Sequence, residues 1–266
     1  MDYASVYQRN LGLFTAAQQQ KLREAKVTVA GVGGVGGIQA VTLARFGIGE
    51  LAIMDPGIFD APDLNRQYGA MKSTLGRNKA EVTAELLGDI NPFMTVRVLP
   101  GAPRDPSVLR EFMAGSALVI DAIDYVGFDY KAMFAEIARE LGAYNLSAPI
   151  PDFGALLMVF APDGMTLEEF YDAPTDKARW PEHFLPIPDR MGPQRSARGI
   201  REFGKGERPY ISTNAGAASL CGGLLATEAA LIISGVRPKE EIVTVPRVTW
   251  IDLAARVMEV FDAKAR

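Results

Sequence analysis

The chain has 266 residues, 48% of them apolar and 23% charged, with a formal net charge of -4. That length can bury a substantial core without staples, and the acidic balance argues against bulk nucleic-acid binding. The single cysteine, Cys221, excludes an internal disulfide and a cysteine-cluster zinc site. A reducing, cytoplasmic setting is expected. The opening Met1-Asp2-Tyr3-Ala4 lacks the basic-then-apolar pattern of a secretory signal. The apolar stretches read as too short, or too broken by glycine and charge, to span a bilayer.

Residues 13–25 read as a polar helix, with Thr15 as N-cap and Gln18 three residues on. The β-rich run 27–30 enters a glycine cluster at once, and residues 38–45 continue as a helix. The apolar strand 51–54 ends in Asp55. Residues 79–87 form a helix that Gly88 is expected to close, ahead of Asn91-Pro92. A strand at 95–99, a helix at 106–113, a buried strand at 117–120 running into Asp121, and a helix at 130–141 follow. Strands alternating with helices predict an α/β fold: a Rossmann-like, doubly wound, mainly parallel sheet.

Beyond Asn145 the pattern changes. Residues 155–160 form an apolar strand that ends at the turn Pro162-Asp163-Gly164. The segment 174–209, rich in Pro, Gly, Arg and Asp, reads as a long and partly mobile crossover. A small-residue helix at 215–234 ends at Gly235. Residues 243–252 and 255–261 read as closing strands, giving a C-terminal mixed-strand extension.

The run Gly31-Val32-Gly33-Gly34-Val35-Gly36-Gly37 places G-x-G-x-x-G directly after a strand and at the start of a helix. Gly31 permits a tight turn, Gly33 lets backbone approach a phosphate, and Gly36 allows close packing of helix on strand. The helix N-terminus offers free N–H groups to an anion. Asp55, about 20 residues on, stands where a carboxylate accepts from ribose hydroxyls. This much predicts a nucleotide and leaves NAD, FAD and ATP open.

Asp60-Ala61-Pro62-Asp63-Leu64-Asn65-Arg66-Gln67 and Gly76-Arg77-Asn78-Lys79 follow. Here the chain resembles the ThiF/MoeB/HesA superfamily, which includes ubiquitin-activating enzymes and the activators of sulfur-carrier proteins. The resemblance extends to Asp121-Ala122-Ile123-Asp124, to Tyr7-Gln8-Arg9-Asn10, to residues 153–160 and to the small-residue helix with Glu228. It covers most of residues 5–165 and 213–262. It implies one ThiF-type domain over 1–266, with a nucleotide-binding half at 1–145 and a substrate-side half at 146–266.

The resemblance implies ATP as the nucleotide, held by Gly31, Gly33, Gly34, Gly36, Asp55, Asn65, Arg66, Gln67 and Lys79. Arg66 and Lys79 would offset charge developing on the α-phosphate. Asp124 would help hold magnesium, while Asp121 shapes the loop. Arg9 would reach in trans into the ATP site of a second subunit. A homodimer is therefore implied. The activity implied is ATP-dependent adenylyl transfer to a carboxylate. The acid could be the C-terminus of a small ubiquitin-like carrier protein, a peptide or a small acid.

The chain also departs from the family pattern. The crossover holds no cysteine for a thioester, and Cys221 falls in the small-residue helix, where it reads as core. No paired C-x-x-C motif exists, so no zinc is expected. Asp63 replaces a phosphate-contacting asparagine, Tyr125 and Asp129 replace an asparagine and an arginine, and Gly57 stands where a second acid is common. Two alternatives stay open. One is a tRNA-modifying dehydratase of the same superfamily, which the basic residues Arg190, Arg195, Arg198, Arg201, Lys205 and Arg208 would suit. The other is a catalytically degenerate nucleotide-binding scaffold or an NAD-binding oxidoreductase. That basic segment also reads as a solvated, flexible loop, the sole histidine His183 as a packing residue, and Phe170 and Tyr171 as core anchors.

Overall fold

Runs of Val, Ile and Leu build the centre of the molecule, in a computed structural model that describes residues 1–124, 127–183 and 197–265. Eight strands form one sheet: β1 (Lys26–Ala30), β2 (Glu50–Met54), β3 (Thr95–Leu99), β4 (Leu118–Asp121), β5 (Tyr144–Ser147), β6 (Gly154–Phe160), β7 (Arg247–Asp252) and β8 (Val257–Asp262). Their order is β3-β2-β1-β4-β5-β6-β7-β8. The first five run parallel, with Val29 opposite Ile53 and Ile120, and β6 to β8 are antiparallel. This is the expected doubly wound sheet with a mixed-strand extension.

Helices α1 (Tyr3–Tyr7), α2 (Ala16–Glu24), α3 (Gly36–Phe46), α4 (Lys79–Ile90), α5 (Pro106–Met113), α6 (Phe128–Glu140), α7 (Leu167–Phe170), α8 (Ala197–Gly204) and α9 (Ala215–Ser234) surround it. Every residue of β1, β4 and β6 is buried, as strands covered on both faces must be. Successive side chains serve opposite faces. Leu118 and Ile120 pack with α3, α4 and α9, while Val119 packs with α5 and α6. Along β6, Ala155, Leu157 and Val159 join the first core. Leu156, Met158 and Phe160 join a cluster containing Phe128, Phe170 and Tyr171. The last two are core anchors, as expected.

Local chemistry sets the ends of these elements. Thr15 caps α2 in a reciprocal box with Gln18. Helix α4 does not stop at Gly88 as expected. It runs to Ile90, because Asn91 supplies the stop: its amide donates to Ile48 O at 3.0 Å and its Oδ1 accepts from Phe93 N. Strand β5 has no counterpart among the expected elements, and the closing strands begin later than expected, at Arg247 and Val257.

The crossover carries local structure of its own. Its described parts include a 3-10 helix at Lys177–Glu182, capped by Asp176, and helix α8. Ile200 of α8 is buried, and Arg198 pairs with Glu202 one turn on. Arg190, Arg195 and the rest of 184–196 lie outside the described residues.

Helix α9, with 20 residues and a mean hydropathy of 1.6, is long and apolar enough to cross a bilayer, contrary to the sequence expectation. Its placement accounts for that composition, since its buried side chains belong to the core shared with α3 and β6. Gly222 and Gly223 test this packing with opposite signs. A Cβ on Gly222 would stand 2.2 Å from Ile38 Cγ2, whereas one on Gly223 meets nothing within 4 Å. Gly222→Ala is expected to lower unfolding stability by about 1–3 kcal/mol, and Gly223→Ala to raise it by about 0.5–1 kcal/mol. Urea denaturation followed by circular dichroism checks both.

Candidate active site

The strand order reverses between β1 and β4, and at such a switch point a crevice opens beyond the carboxyl ends of the strands. The glycine loop fills the β1 side of it. Gly31 takes φ +88, and a Cβ there would lie 2.5 Å from Ala122 O. A Cβ on Gly36 would stand 1.8 Å from Gly31 O, so only glycine lets α3 begin this close to β1. Asp55, at the end of β2, fastens the loop. Its Oδ2 accepts from Val32 N at 2.8 Å and its Oδ1 from Gly57 N at 2.7 Å. Each oxygen keeps lone-pair capacity for a hydroxyl donor.

The loop after β2 carries the cations. Its 3-10 helix, Ala61–Asn65, is capped by Asp60 and delivers Arg66 over the glycine loop. A Cβ on Gly34 would be 3.3 Å from Arg66 Nε, and one on Gly33 would be 3.4 Å from Gln67 Oε1. Asp63, nearly buried, is the hub. Its Oδ2 lies 3.1 Å from Lys79 Nζ and its Oδ1 3.8 Å from Arg66 Nη1. The Gln67 amide also donates to Oδ1, and Asp60 N donates to Oδ2 at 3.1 Å. The acid that replaces the family's asparagine thus joins both cations and leaves them one net positive charge. Asn65 bridges outward: it accepts from Arg66 Nη1 at 2.9 Å and donates to Thr213 O at 3.3 Å.

On the β4 side, sequence reasoning missed Lys131. Its ammonium donates to Asp121 Oδ1 at 2.7 Å and to Ile123 O at 2.8 Å. Asp121 Oδ1 also accepts from Ile123 N, and Ser147 Oγ donates to Asp121 O at 2.8 Å. Both polar groups of Ile123 are therefore held, which fixes the peptide leading into the exposed Asp124. The signal for Lys131 was a cation on the apolar face of α6, between Tyr130 and Ala132 and ten positions after Asp121. Tyr125 lies outside the described residues, and Asp129 turns to Arg104 at 2.6 Å.

A cavity of about 560 Å³ opens here, lined by Gly34, Arg66, Asp121, Asp124 and Lys131. A second, of about 550 Å³, lies between α6 and α7 near the start of β5, away from the glycine loop. The remaining expected residues stand apart from both. Arg9 is exposed at the far end of α3, where Tyr7 Oη donates to Ala44 O and Asn10 donates to Phe46 O. Cys221 is fully buried, with Sγ 3.3 Å from Pro149 O, and burial pushes its thiol pKa up. His183 packs edge-on against Phe128.

The sequence profile described as the ThiF family matches residues 7–264. The chain belongs to the ThiF family. This ThiF-family chain is 39% identical over 114 residues to the tRNA threonylcarbamoyladenosine dehydratase of Haemophilus influenzae, covering 43% of the chain and 44% of that protein. It is 33% identical over 140 residues to the molybdopterin-synthase adenylyltransferase of Salmonella typhimurium, covering 53% of each. It is 31% identical over 146 residues to the SAMP-activating enzyme E1 of Haloferax volcanii, covering 55% of the chain and 53% of that enzyme. The chain spans about half the length of the curated relatives it matches. Among solved structures, the microcin C7 biosynthetic enzyme MccB of Escherichia coli, bound to N-formylated MccA, superposes with a TM-score of 0.74. Identity is 19%, over 97% of this chain and 72% of that one. PaaA superposes with a TM-score of 0.73 at 17% identity, over 98% of this chain and 73% of that one. At these identities the likeness shows the fold.

The Lys131–Asp121 pair can be tested on its own. The two side chains are 4% and 0% exposed, so removing one strands the other in the interior. Lys131→Met is expected to cost about 3–5 kcal/mol of stability, and adding Asp121→Asn should recover part of it. Unfolding midpoints in urea measure both, and a Lys131→Met variant as stable as the parent would contradict the pairing.

Proposed function

We propose that this chain binds ATP across the glycine loop and transfers its AMP to a carboxylate. A carboxylate oxygen bonds to the α-phosphorus, the α–β anhydride breaks, and pyrophosphate leaves. The observation that carries this reading is the cation pair: Arg66 lies against Gly34, and Asp63 links it to Lys79. A dinucleotide site of the NAD type has no use for two cations at the pyrophosphate turn. Phosphoryl chemistry of this kind needs positioning and charge stabilisation rather than a protein nucleophile, which suits a fully buried Cys221.

In this reading Asp55 accepts from the ribose, the amides of residues 33–36 face the phosphates, Gln67 and Asn65 brace the loop, and Arg66 and Lys79 take the growing negative charge. Among the described residues no group of three or more His, Cys, Asp or Glu side chains could hold a metal. Magnesium binds through one or two carboxylates and the substrate's own phosphates; the exposed Asp124 on the cavity lining would hold it, neutralising phosphate charge. Arg9, remote from its own glycine loop, would act on the site of a second copy in a homodimer.

The curated relatives favour a second reading of the acid. Three tRNA threonylcarbamoyladenosine dehydratases match at 32–39% identity, so a carboxylate borne on tRNA is the alternative to a carrier, peptide or small acid. Pyrophosphate exchange with each class of acid separates them. Arg66→Ala and Asp124→Ala are each expected to reduce exchange by about 100-fold or more with the circular dichroism spectrum unchanged. Unaltered exchange in both would remove these residues from the site. ATP with magnesium, at 100 times its Kd, should stabilise the protein by about 2.7 kcal/mol, and NAD should leave the melting temperature in place.

A further inference from the structure

The charged groups that line the 560 Å³ cavity are Asp63, Arg66, Asp121, Asp124 and Lys131. All come from the loop after β2, from the end of β4 and the loop after it, and from the first turn of α6. The opposite wall is different. Pro149 and Ile150 follow β5, Met158 lies in β6, Tyr171 follows α7, and Phe203 and Ile211 come from the end of the crossover. An acid entering the cavity would place its carboxylate toward Arg66 and Asp124 and its body on this wall.

On the β5–β6 side of that wall the polar atoms of Tyr171 and Pro149 have partners. Tyr171 Oη donates to Met158 Sδ at 3.3 Å. Pro149 O accepts from Leu156 N at 3.2 Å and from Cys221 Sγ. Ser147 Oγ, at the boundary with the charged side, donates to the Asp121 carbonyl. These side chains offer a ligand mostly apolar contact, with the Tyr210 and Thr213 hydroxyls at the crossover edge of the lining. A polar or hydrated body would leave Ile150, Met158, Phe203 and Ile211 without an apolar partner. A glycine tail has no side chain to cover the wall, whereas an alkyl or aryl group does. Lining of this kind, with polar groups gathered at one end, is that of a small-molecule pocket.

Resting on the adenylation reading, we propose that the acid this chain activates is a small carboxylic acid with an apolar alkyl or aryl body. Ile211 and Phe203, both half-buried on the crossover, set its specificity.

Saturation-transfer NMR on the full chain, loaded with a non-hydrolysable ATP analogue and magnesium, tests this. The probes are 3-phenylpropanoate, hexanoate, succinate, a peptide ending in Gly-Gly, and tRNA bearing a carboxylated adenosine. The two apolar acids are expected to bind at least about 10-fold more tightly than succinate or the peptide. Ile211→Glu and Phe203→Asp should each weaken 3-phenylpropanoate by at least about 10-fold, with the thermal shift caused by the ATP analogue unchanged. Preference for the peptide, the tRNA or succinate, with that shift intact, overturns this proposal alone. So does equal binding by both variants. Absence of the shift in the parent protein overturns the adenylation reading and this inference with it.

Discussion

The candidate site depends on one carboxylate. Asp63 sits between Lys79 and Arg66, accepts from Gln67 and the Asp60 amide, and so fixes the loop that leans on the glycine turn. Two cations held close without such a partner would repel each other and drift toward water. With Asp63 between them they stay together, Arg66 against Gly34 and Lys79 against Gly57. The arrangement resolves what looked in the sequence like a defect. An acid near phosphates is unfavourable in isolation, but here its two oxygens are taken up by Lys79 and by Arg66 and Gln67.

The sheet makes that arrangement possible. The parallel strands bring the loops after β1, β2 and β4 to one rim, where the strand order reverses. Asp55 then ties the first two loops together through Val32 and Gly57. Lys131 and Ser147 do the same for the third. Each loop is braced by hydrogen bonds to its own or a neighbouring backbone, so the rim is pre-organised, as a site that works by charge placement requires. The antiparallel extension contributes the apolar side of the crevice.

The alternation of elements and the glycine turn were legible in the sequence because their signals are local: a β-rich run, a G-x-G-x-x-G turn and an acid at a strand end lie within 30 residues. Arg66 and Lys79 were singled out by the resemblance of their segments to the ThiF/MoeB/HesA pattern. The harder features rest on contacts between distant segments. Lys131 finds its partner ten residues back through the turn of the chain, and Asn91 ends α4 by reaching Ile48, 43 residues away. Strand β5 has only four residues, Tyr-Asn-Leu-Ser, too few and too polar to declare a period. Helix α8 is masked by arginine and glycine, although Ile200 gives it an inward face.

Thr213 lies just before α9, and its carbonyl accepts the amide of Asn65, next to Arg66. The following residue, Asn214, caps α9 and donates to Asp152 O at 2.9 Å. The end of the crossover is thus stitched to both halves of the molecule at once. Strain arriving along that segment reaches the guanidinium through a single amide. Sequence changes in the crossover that never meet the cavity can therefore shift the Arg66 side chain, and the two halves of the chain are not free to evolve independently.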